Sequence, residues 1–488
     1  MSSHRAGLEY SAMITSPIKF GTSGWRGLIA DDFTFASVGL AVTAIAEHVK
    51  SKSDKPRILV GYDTRFYSEE FSRLTVSILQ KYNIRTLLCE TFTPTPAVAY
   101  EIQRSKLDGA INFTASHNPA AYHGLKFSSA DAGPALPEVT KDIEARAAKI
   151  LEKDGPFPFA YPRNYSAGGE IEMVNLRENY LKRLEQLVRF EVLGKAKTKF
   201  VFDALHGCGA GYLDQALANH GIAVECIRLN RDCLFDGTGP DVSEENLGPL
   251  RKAVTDSDAL AGLATDGDAD RFGIIDQDGT WIQPNLILAL VYDYLAETRG
   301  WKMPAARSVA TTQMMDAIAK SHGQTVFQTP VGFKYIGQLI REDKIAFGGE
   351  ESAGMTIRGH IPEKDGILAC LLVAEMIASR GASIGEQVKA AYKKLGREFH
   401  PIRENLHLSD EQKANAVAKV AVDSSTLAGR KVVSTDRTDG AKFCLDDGSW
   451  LLIRLSGTEP LLRLYVEAES AAESRKLAAA ATDWILKT

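Results

Sequence analysis

Arg57-Ile-Leu-Val-Gly-Tyr-Asp63 is a short run of β-forming apolar residues that ends abruptly in a polar loop, and its reading decides the fold class. Just before it, Phe35, Val38, Val42, Ile45 and Val49 recur at intervals of three and four, the period of an amphipathic helix. The same unit returns along the chain: residues 200–203, 260–264 and 345–347 are apolar stretches that each lead into Gly, Asp, Glu or His. Strands alternating with helical patterns predict α/β units on a mostly parallel sheet. Ligands of such sheets gather beyond the carboxyl ends of the strands, so the polar loops are where chemistry is expected.

Working outward, 488 residues correspond to three or four domains at about 100–200 residues each. The clearest linker is 154–170, dense in Pro and Gly, followed by a helical pattern through Leu176, Tyr180, Leu184 and Leu187. Further boundaries are expected soon after 266–271 and near 381–384, which divides the chain into 1–168, 169–279, 280–383 and 384–488. The last unit changes character. Ser409-Asp-Glu-Gln412 and Ser470-Ala-Ala-Glu473 read as capping boxes, and 450–455 and 461–467 read as neighbouring strands around a turn at 456–460. That is a smaller α+β domain.

Charge and composition exclude several classes. The 57 Lys and Arg against 62 Asp and Glu leave a net charge of −5, without the basic excess that phosphate-backbone binding uses. No run of about 18 apolar residues is present, and the first ten residues lack the apolar core of a secretion signal. The six cysteines are scattered without a C-x-x-C pair, which reads as reduced thiols. A soluble, cytoplasmic protein without nucleic-acid or membrane partners is expected.

Five loops could carry chemistry. In Thr265-Asp-Gly-Asp-Ala-Asp-Arg271, Asp266, Asp268 and Asp270 alternate, so an extended backbone projects three carboxylates to one side. Such a set suits Mg²⁺ or Ca²⁺, and a solvated acidic turn is the plain alternative. An EF-hand is excluded, because its sixth and twelfth positions are Arg271 and Gln277. Thr114-Ala-Ser-His-Asn-Pro119 is either a simple turn or a loop presenting Ser116 as nucleophile or phosphate carrier; it has no G-x-S-x-G elbow. Gly21-Thr-Ser-Gly-Trp-Arg-Gly27 offers backbone N–H groups, hydroxyls and a guanidinium, without the Lys of a P-loop. Gly348-Gly-Glu-Glu-Ser-Ala-Gly354 pairs carboxylates with a hydroxyl, which suits sugar hydroxyls better than acid–base work across one bond. Arg454-Leu-Ser-Gly-Thr-Glu-Pro460 could cradle a phosphate through Arg454, Ser456, Gly457 and Thr458, with Arg463 from the next strand, or be an ordinary polar hairpin. His206-Gly-Cys-Gly-Ala-Gly211 reads as structural.

Together, residues 21–27, 114–119, 266–271, 349–354 and 454–460 resemble the α-D-phosphohexomutase family, in its order and across nearly the whole chain. The resemblance implies three related α/β domains with mixed sheets and a smaller C-terminal α+β domain around a central cleft. It implies that Ser116 carries the transferable phosphoryl group and, with Asp266, Asp268 and Asp270, holds Mg²⁺. Lys126 in Gly124-Leu-Lys-Phe127 matches the lysine near the reacting oxygen, and Arg26 the arginine that assists proton movement. His117 and Arg271 are expected to touch the phosphoryl group or substrate. Glu350 and Ser352 match the readers of sugar hydroxyls, and Lys364 matches a further substrate contact. The loop from Arg454 would bind the non-transferring phosphate, although many relatives have Pro where this chain has Leu455.

The implied reaction interconverts a hexose 1-phosphate and 6-phosphate through a 1,6-bisphosphate, with the fourth domain closing on substrate. The Glu-Glu-Ser loop resembles the form common in glucose-preferring members, where mannose-active members more often carry Met between Glu and Ser. Glucose phosphates are therefore the expected substrates, with glucose 1,6-bisphosphate as activator and intermediate, acting on a monomer or weak dimer. Mannose phosphates, a glucose-1,6-bisphosphate synthase and a silent sugar-phosphate binder are the alternatives.

Overall fold

The computed structural model describes residues 18–154, 171–196, 198–422, 424–427, 429–455 and 461–486. The linker segment 155–170 and the turn at 456–460 therefore lie outside the described residues.

The first sheet contains β1 (Trp25–Leu28), β2 (Arg57–Tyr62), β3 (Arg85–Cys89), β4 (Gly109–Phe113), β5 (Tyr122–Ser129) and β6 (Glu172–Val174), in the order β1-β5-β4-β2-β3-β6. The second holds β7 (Lys199–Asp203), β8 (Ala223–Ile227), β9 (Ala261–Thr265), β10 (Phe272–Asp276) and β11 (Trp281–Ile282), in the order β11-β10-β9-β7-β8. The third holds β12 (Ala305–Ser308), β13 (Val326–Thr329), β14 (Phe347–Glu350) and β15 (Gly354–Ile357), in the order β13-β12-β14-β15.

These sheets are mixed, where the alternating pattern alone suggests mostly parallel ones. The reason is local. Strands β2, β3 and β4 pair in parallel because helices connect them, but β4 returns to β5 through the short loop 114–121 and must pair antiparallel. The same short return joins β9 to β10 and β14 to β15. All three tight returns are loops singled out for chemistry. The run at 345–347 enters its strand late: Ile345 and Ala346 are buried but lead into β14, which ends on Glu350.

The fourth sheet is antiparallel throughout, in the order β16-β21-β20-β19-β18-β17, with β16 (His400–His407), β17 (Thr426–Leu427), β18 (Arg430–Asp436), β19 (Ala441–Leu445), β20 (Trp450–Leu455) and β21 (Leu461–Ala468). Helices 410–421 and 471–486 accompany it, and Ser409 closes a full capping box with Gln412. This unit docks on the third by seating Trp450, Leu452 and Tyr465 against Val309 and Ala310. Glu467 then accepts hydrogen bonds from the Gln313 N–H (3.0 Å) and the Thr312 hydroxyl.

Strand β6 completes the first sheet beyond residue 168, and β11 completes the second beyond 279. The helix Ile384–Leu395 packs against the helices Pro284–Arg299 and Met314–Ser321 of the third unit. We propose domain boundaries drawn just after β6, just after β11 and just after Leu395. Among the described residues no single helix is long and apolar enough to cross a membrane. None of the six cysteines is in a disulfide.

Candidate active site

Strand β4 ends on Phe113, and the chain turns sharply at Ser116, whose φ of 52° lies in the left-handed region. The Ser116 N–H bonds Thr114 Oγ1 at 2.8 Å, and the Ser116 hydroxyl donates to Asp266 Oδ2 at 2.6 Å. The turn is held from behind by Arg65. Its guanidinium donates to the carbonyls of Ser116 (2.7 Å), Asn118 (2.6 Å), Pro119 (2.9 Å) and Tyr122 (3.0 Å), and its Nε to Asp63 Oδ2 (3.1 Å). Both Arg65 and Asp63 are fully buried. The motif reading missed Arg65, although an Asp-Thr-Arg run directly after a buried strand is a visible sign of it.

The acidic loop is a turn, and not the extended segment its alternation suggests. The Ala269 N–H bonds the Asp266 carbonyl at 2.9 Å, Ala269 is left-handed at φ 57°, and the Arg271 N–H bonds Asp266 Oδ1 at 3.0 Å. A six-residue return between antiparallel strands has to reverse direction, so tight turning brings the carboxylates together where alternation would have lined them up. One oxygen from each of Asp266, Asp268 and Asp270 falls within 4.8 Å of the others, all three buried.

Gly267 lets the two loops touch. A Cβ there would lie 2.6 Å from the Ser116 carbonyl oxygen and 2.9 Å from Pro240 Cγ. The Gly-rich turn after β7 supports Gly267: the Cys208 N–H bonds its carbonyl at 2.9 Å.

Cationic groups surround the carboxylates. Lys126, on β5, places its ammonium 2.5 Å from Asp268 Oδ2 and 2.8 Å from Asp270 Oδ2. Lys364 reaches the same Asp270 oxygen at 3.1 Å while holding Glu363 at 2.9 Å. Thr95 donates its hydroxyl to Asp268 Oδ2. Burial, and then the charges of Asp268 and Asp270, raise Asp266 well above the usual carboxylate range. Burial also acts to raise Asp270, but Lys126, Lys364 and Arg271 outweigh it and hold that carboxyl below its usual range. Asp268 Oδ1 and Asp270 Oδ1 are buried without a hydrogen-bond partner. Clustered oxygens of this kind, two of them unsatisfied, fit a hard divalent cation.

Other expected residues converge on the Ser116 side. Arg26, on β1, donates to Asn118 Oδ1 at 2.6 Å, and burial with the nearby Arg271 charge lowers it to about 10. His117 Nδ1 is buried without a partner, and burial beside Arg271 and Arg26 keeps the imidazole neutral, well below its usual range. Arg271 Nε lies 3.9 Å from Asp270 Oδ1.

At the loop 348–354, neighbouring carboxylates turn different ways. Glu350 Oε1 accepts the Gly332 N–H at 2.6 Å, whereas Glu351 Oε2 accepts the hydroxyls of Ser308 (2.7 Å) and Thr311 (3.1 Å). Burial and the adjacent Glu351 charge push Glu350 up to about 7. Ser352 lies on the turn that follows. Asp365, the next residue after Lys364, accepts hydrogen bonds from the Tyr180 hydroxyl (2.7 Å), the Leu368 N–H (2.8 Å) and His360 Nε2 (2.7 Å). Tyr180 and this aspartate were not singled out in the sequence, because their contact spans the second and third units.

In the last unit, Arg454 and Arg463 face each other across β20 and β21, and Arg454 Nε bonds Asp439 Oδ2 at 2.8 Å. Ser456, Gly457 and Thr458 lie outside the described residues.

Comparison with known proteins gives a consistent result. Four family models match in chain order: phosphoglucomutase/phosphomannomutase α/β/α domain I at residues 17–154, domain II at 178–279, domain III at 283–395 and the C-terminal domain at 404–483. The chain is 30% identical to a phosphoglucomutase/phosphomannomutase of Thermococcus kodakarensis, over 94% of this chain and 96% of the relative. It is 28% identical to a phosphoglucosamine mutase of Salinispora arenicola, over 96% and 98%. A crystal structure from Thermus thermophilus, provisionally assigned as a phosphomannomutase, superposes with a TM-score of 0.84 at 31% identity, covering 96% of this chain and 99% of that one. Matches to all four domains, in order along one chain, place the protein in the phosphoglucomutase/phosphomannomutase family, as a phosphohexomutase and so an intramolecular phosphotransferase.

Proposed function

We propose that this phosphohexomutase interconverts glucose 1-phosphate and glucose 6-phosphate through a phosphorylated Ser116 and a 1,6-bisphosphate. The observation that carries the reading is the 2.6 Å bond from the Ser116 hydroxyl to Asp266, inside a carboxylate triad ringed by lysines. Asp266, Asp268 and Asp270 would hold Mg²⁺, which when bound neutralises charge on the transferring phosphoryl group.

A substrate hydroxyl attacks the phosphorus carried on Ser116. The new O–P bond forms as the bond to Ser116 Oγ breaks, and the proton of the attacking hydroxyl ends on the departing Ser116 oxygen. Lys126 stands at the reacting oxygen, Arg26 assists the proton's passage, and His117 and Arg271 bind the phosphoryl oxygens. The bisphosphate then turns over and returns its other phosphoryl group to Ser116. Glu350, Ser352 and Lys364 read the sugar, and Arg454, Arg463 and the loop 456–458 anchor the remote phosphate. The Glu-Glu-Ser sequence of the sugar loop supports glucose; relatives carry glucose, mannose and glucosamine mutase names.

The test is Mg²⁺-dependent turnover of glucose 1-phosphate, mannose 1-phosphate and glucosamine 1-phosphate in parallel, with a trace of the matching 1,6-bisphosphate. Glucose-favoured turnover supports the proposal. Preference for another sugar reassigns the substrate, and bisphosphate accumulation from a separate phosphoryl donor points to a synthase.

A further inference from the structure

Three groups of side chains among the described residues bring three potential ligand atoms within 4.8 Å of one another. One is the triad above, which carries Lys126 and Lys364. A second, Asp293, Glu297 and His322, also has its own cations: Arg380 lies 2.8 Å from Asp293 and 2.7 Å from Glu297, and Lys394 lies 3.2 Å from Asp293. The third, His206 with Asp232 and Asp236, differs. Among the described residues no lysine or arginine pairs with either of its aspartates.

The imidazole is oriented by its other nitrogen. His206 Nδ1 lies 2.9 Å from the Asn230 carbonyl oxygen, which can only accept, so Nδ1 donates its N–H there and Nε2 is left to face the loop 232–236. His206 is 5% exposed. Its Nε2 is buried and lies 2.9 Å from Asp236 Oδ2, yet out of line, so that no hydrogen bond forms. A buried ring nitrogen with no hydrogen bond of its own, grouped with two carboxylates, calls for a positive centre between them. A ring nitrogen fixed by a backbone carbonyl on its far side is also the arrangement typical of metal-ligating histidines.

We infer that His206, Asp232 and Asp236 form a second metal site, distinct from the aspartate triad, that takes a borderline divalent transition-metal ion such as Zn²⁺. One imidazole and two carboxylates suit such an ion better than Mg²⁺, which takes oxygen ligands. The half-exposed side of Asp236 leaves solvent access for a remaining ligand. The site is structural in placement. Phe235, between the two aspartates in the chain, lies over the Arg65 guanidinium at 5.0 Å, and Arg65 holds the Ser116 loop. The ion would pin the 232–236 loop to the turn after β7, and so keep Arg65 covered.

The experiment is Co²⁺ titration of the full chain in excess Mg²⁺, followed by visible absorption and by metal content after dialysis. One Co²⁺ per chain is expected, retained in Asp268→Asn and weakened at least tenfold in Asp236→Asn, whose side chain is exposed enough to spare the fold. His206→Gln should abolish it. Absence of Co²⁺ uptake, equal affinity in Asp236→Asn, or loss in Asp268→Asn would overturn the assignment, leaving a protonated His206 as the positive centre.

Discussion

Ser116 and Asp266 are 150 positions apart in the chain, and their hydroxyl and carboxylate meet at 2.6 Å. The contact joins a loop of the first sheet to a loop of the second, so the serine is placed by one unit and presented to the carboxylates of another. Ser116→Ala removes only a small, buried hydroxyl. Turnover should fall by at least about 1,000-fold, as expected when a covalent carrier is lost, with the melting temperature unchanged within a few degrees. A coupled hexose-6-phosphate assay beside a thermal melt checks both; residual turnover above a tenth of wild type would sink the phosphoserine role.

Arg65 is a buried cation with one carboxylate partner, Asp63, and four carbonyl partners. Arg65→Met leaves Asp63 buried and uncompensated, which costs about 3–5 kcal/mol. Urea unfolding should show a lowered midpoint. Arg65→Met,Asp63→Leu should recover much of the stability but not the turnover, because the carbonyls of the serine loop stay unheld.

Glu350 gives a pH signature. Its folded pKa, about 7, exceeds its ordinary 4.5, so the folded chain binds the proton more tightly than the unfolded chain does. The stability due to this group is full below about pH 4.5 and is lost as pH rises through 7. A stability-against-pH curve for Glu350→Gln should lack that decline. The ionised carboxylate is the better acceptor for sugar hydroxyls, so KM should fall between pH 6 and 8 in the wild type and stay flat in Glu350→Gln. Parallel KM profiles for the two proteins would rule this out.

Tyr180→Phe deletes the hydroxyl that reaches Asp365 at 2.7 Å. Loss of a hydrogen bond to a buried carboxylate should cost about 2 kcal/mol. Because Asp365 is the neighbour of Lys364, KM for hexose phosphate should rise several-fold while kcat changes less. A drop in kcat alone would move Tyr180 out of the positioning role.

The comparison of sequence with structure has a clear pattern. Residue types were legible where chemistry concentrates: Asp266, Asp268 and Asp270 announce themselves by charge density, whereas Lys126 was reached only through the family resemblance of Gly124-Leu-Lys-Phe127. Geometry was not. Alternation suggested an extended acidic segment, but the six-residue return between β9 and β10 forces a turn, which the strand directions decide. Arg65 escaped because it serves backbone carbonyls, so that only its place in the Asp-Thr-Arg run after β2 marks it. Tyr180 and Asp365 are 185 positions apart, and their meeting is set by how one helix of the second unit packs beneath the third. The capping box at Ser409 was readable because it is local and needs only four residues.

Asp270 is gripped by Lys126 from the first unit and by Lys364 from the third. A ribosome releases these residues in order, and domains generally fold as units as they emerge. The serine loop and the carboxylates can therefore assemble early, but the centre lacks a lysine until the third unit has been synthesised and docked. A stalled or nicked nascent chain that ends before Lys364 would hold the serine and the acidic residues with Asp270 paired to Lys126 alone, so the full charge balance of the centre arrives late in translation, with most of the polypeptide already made.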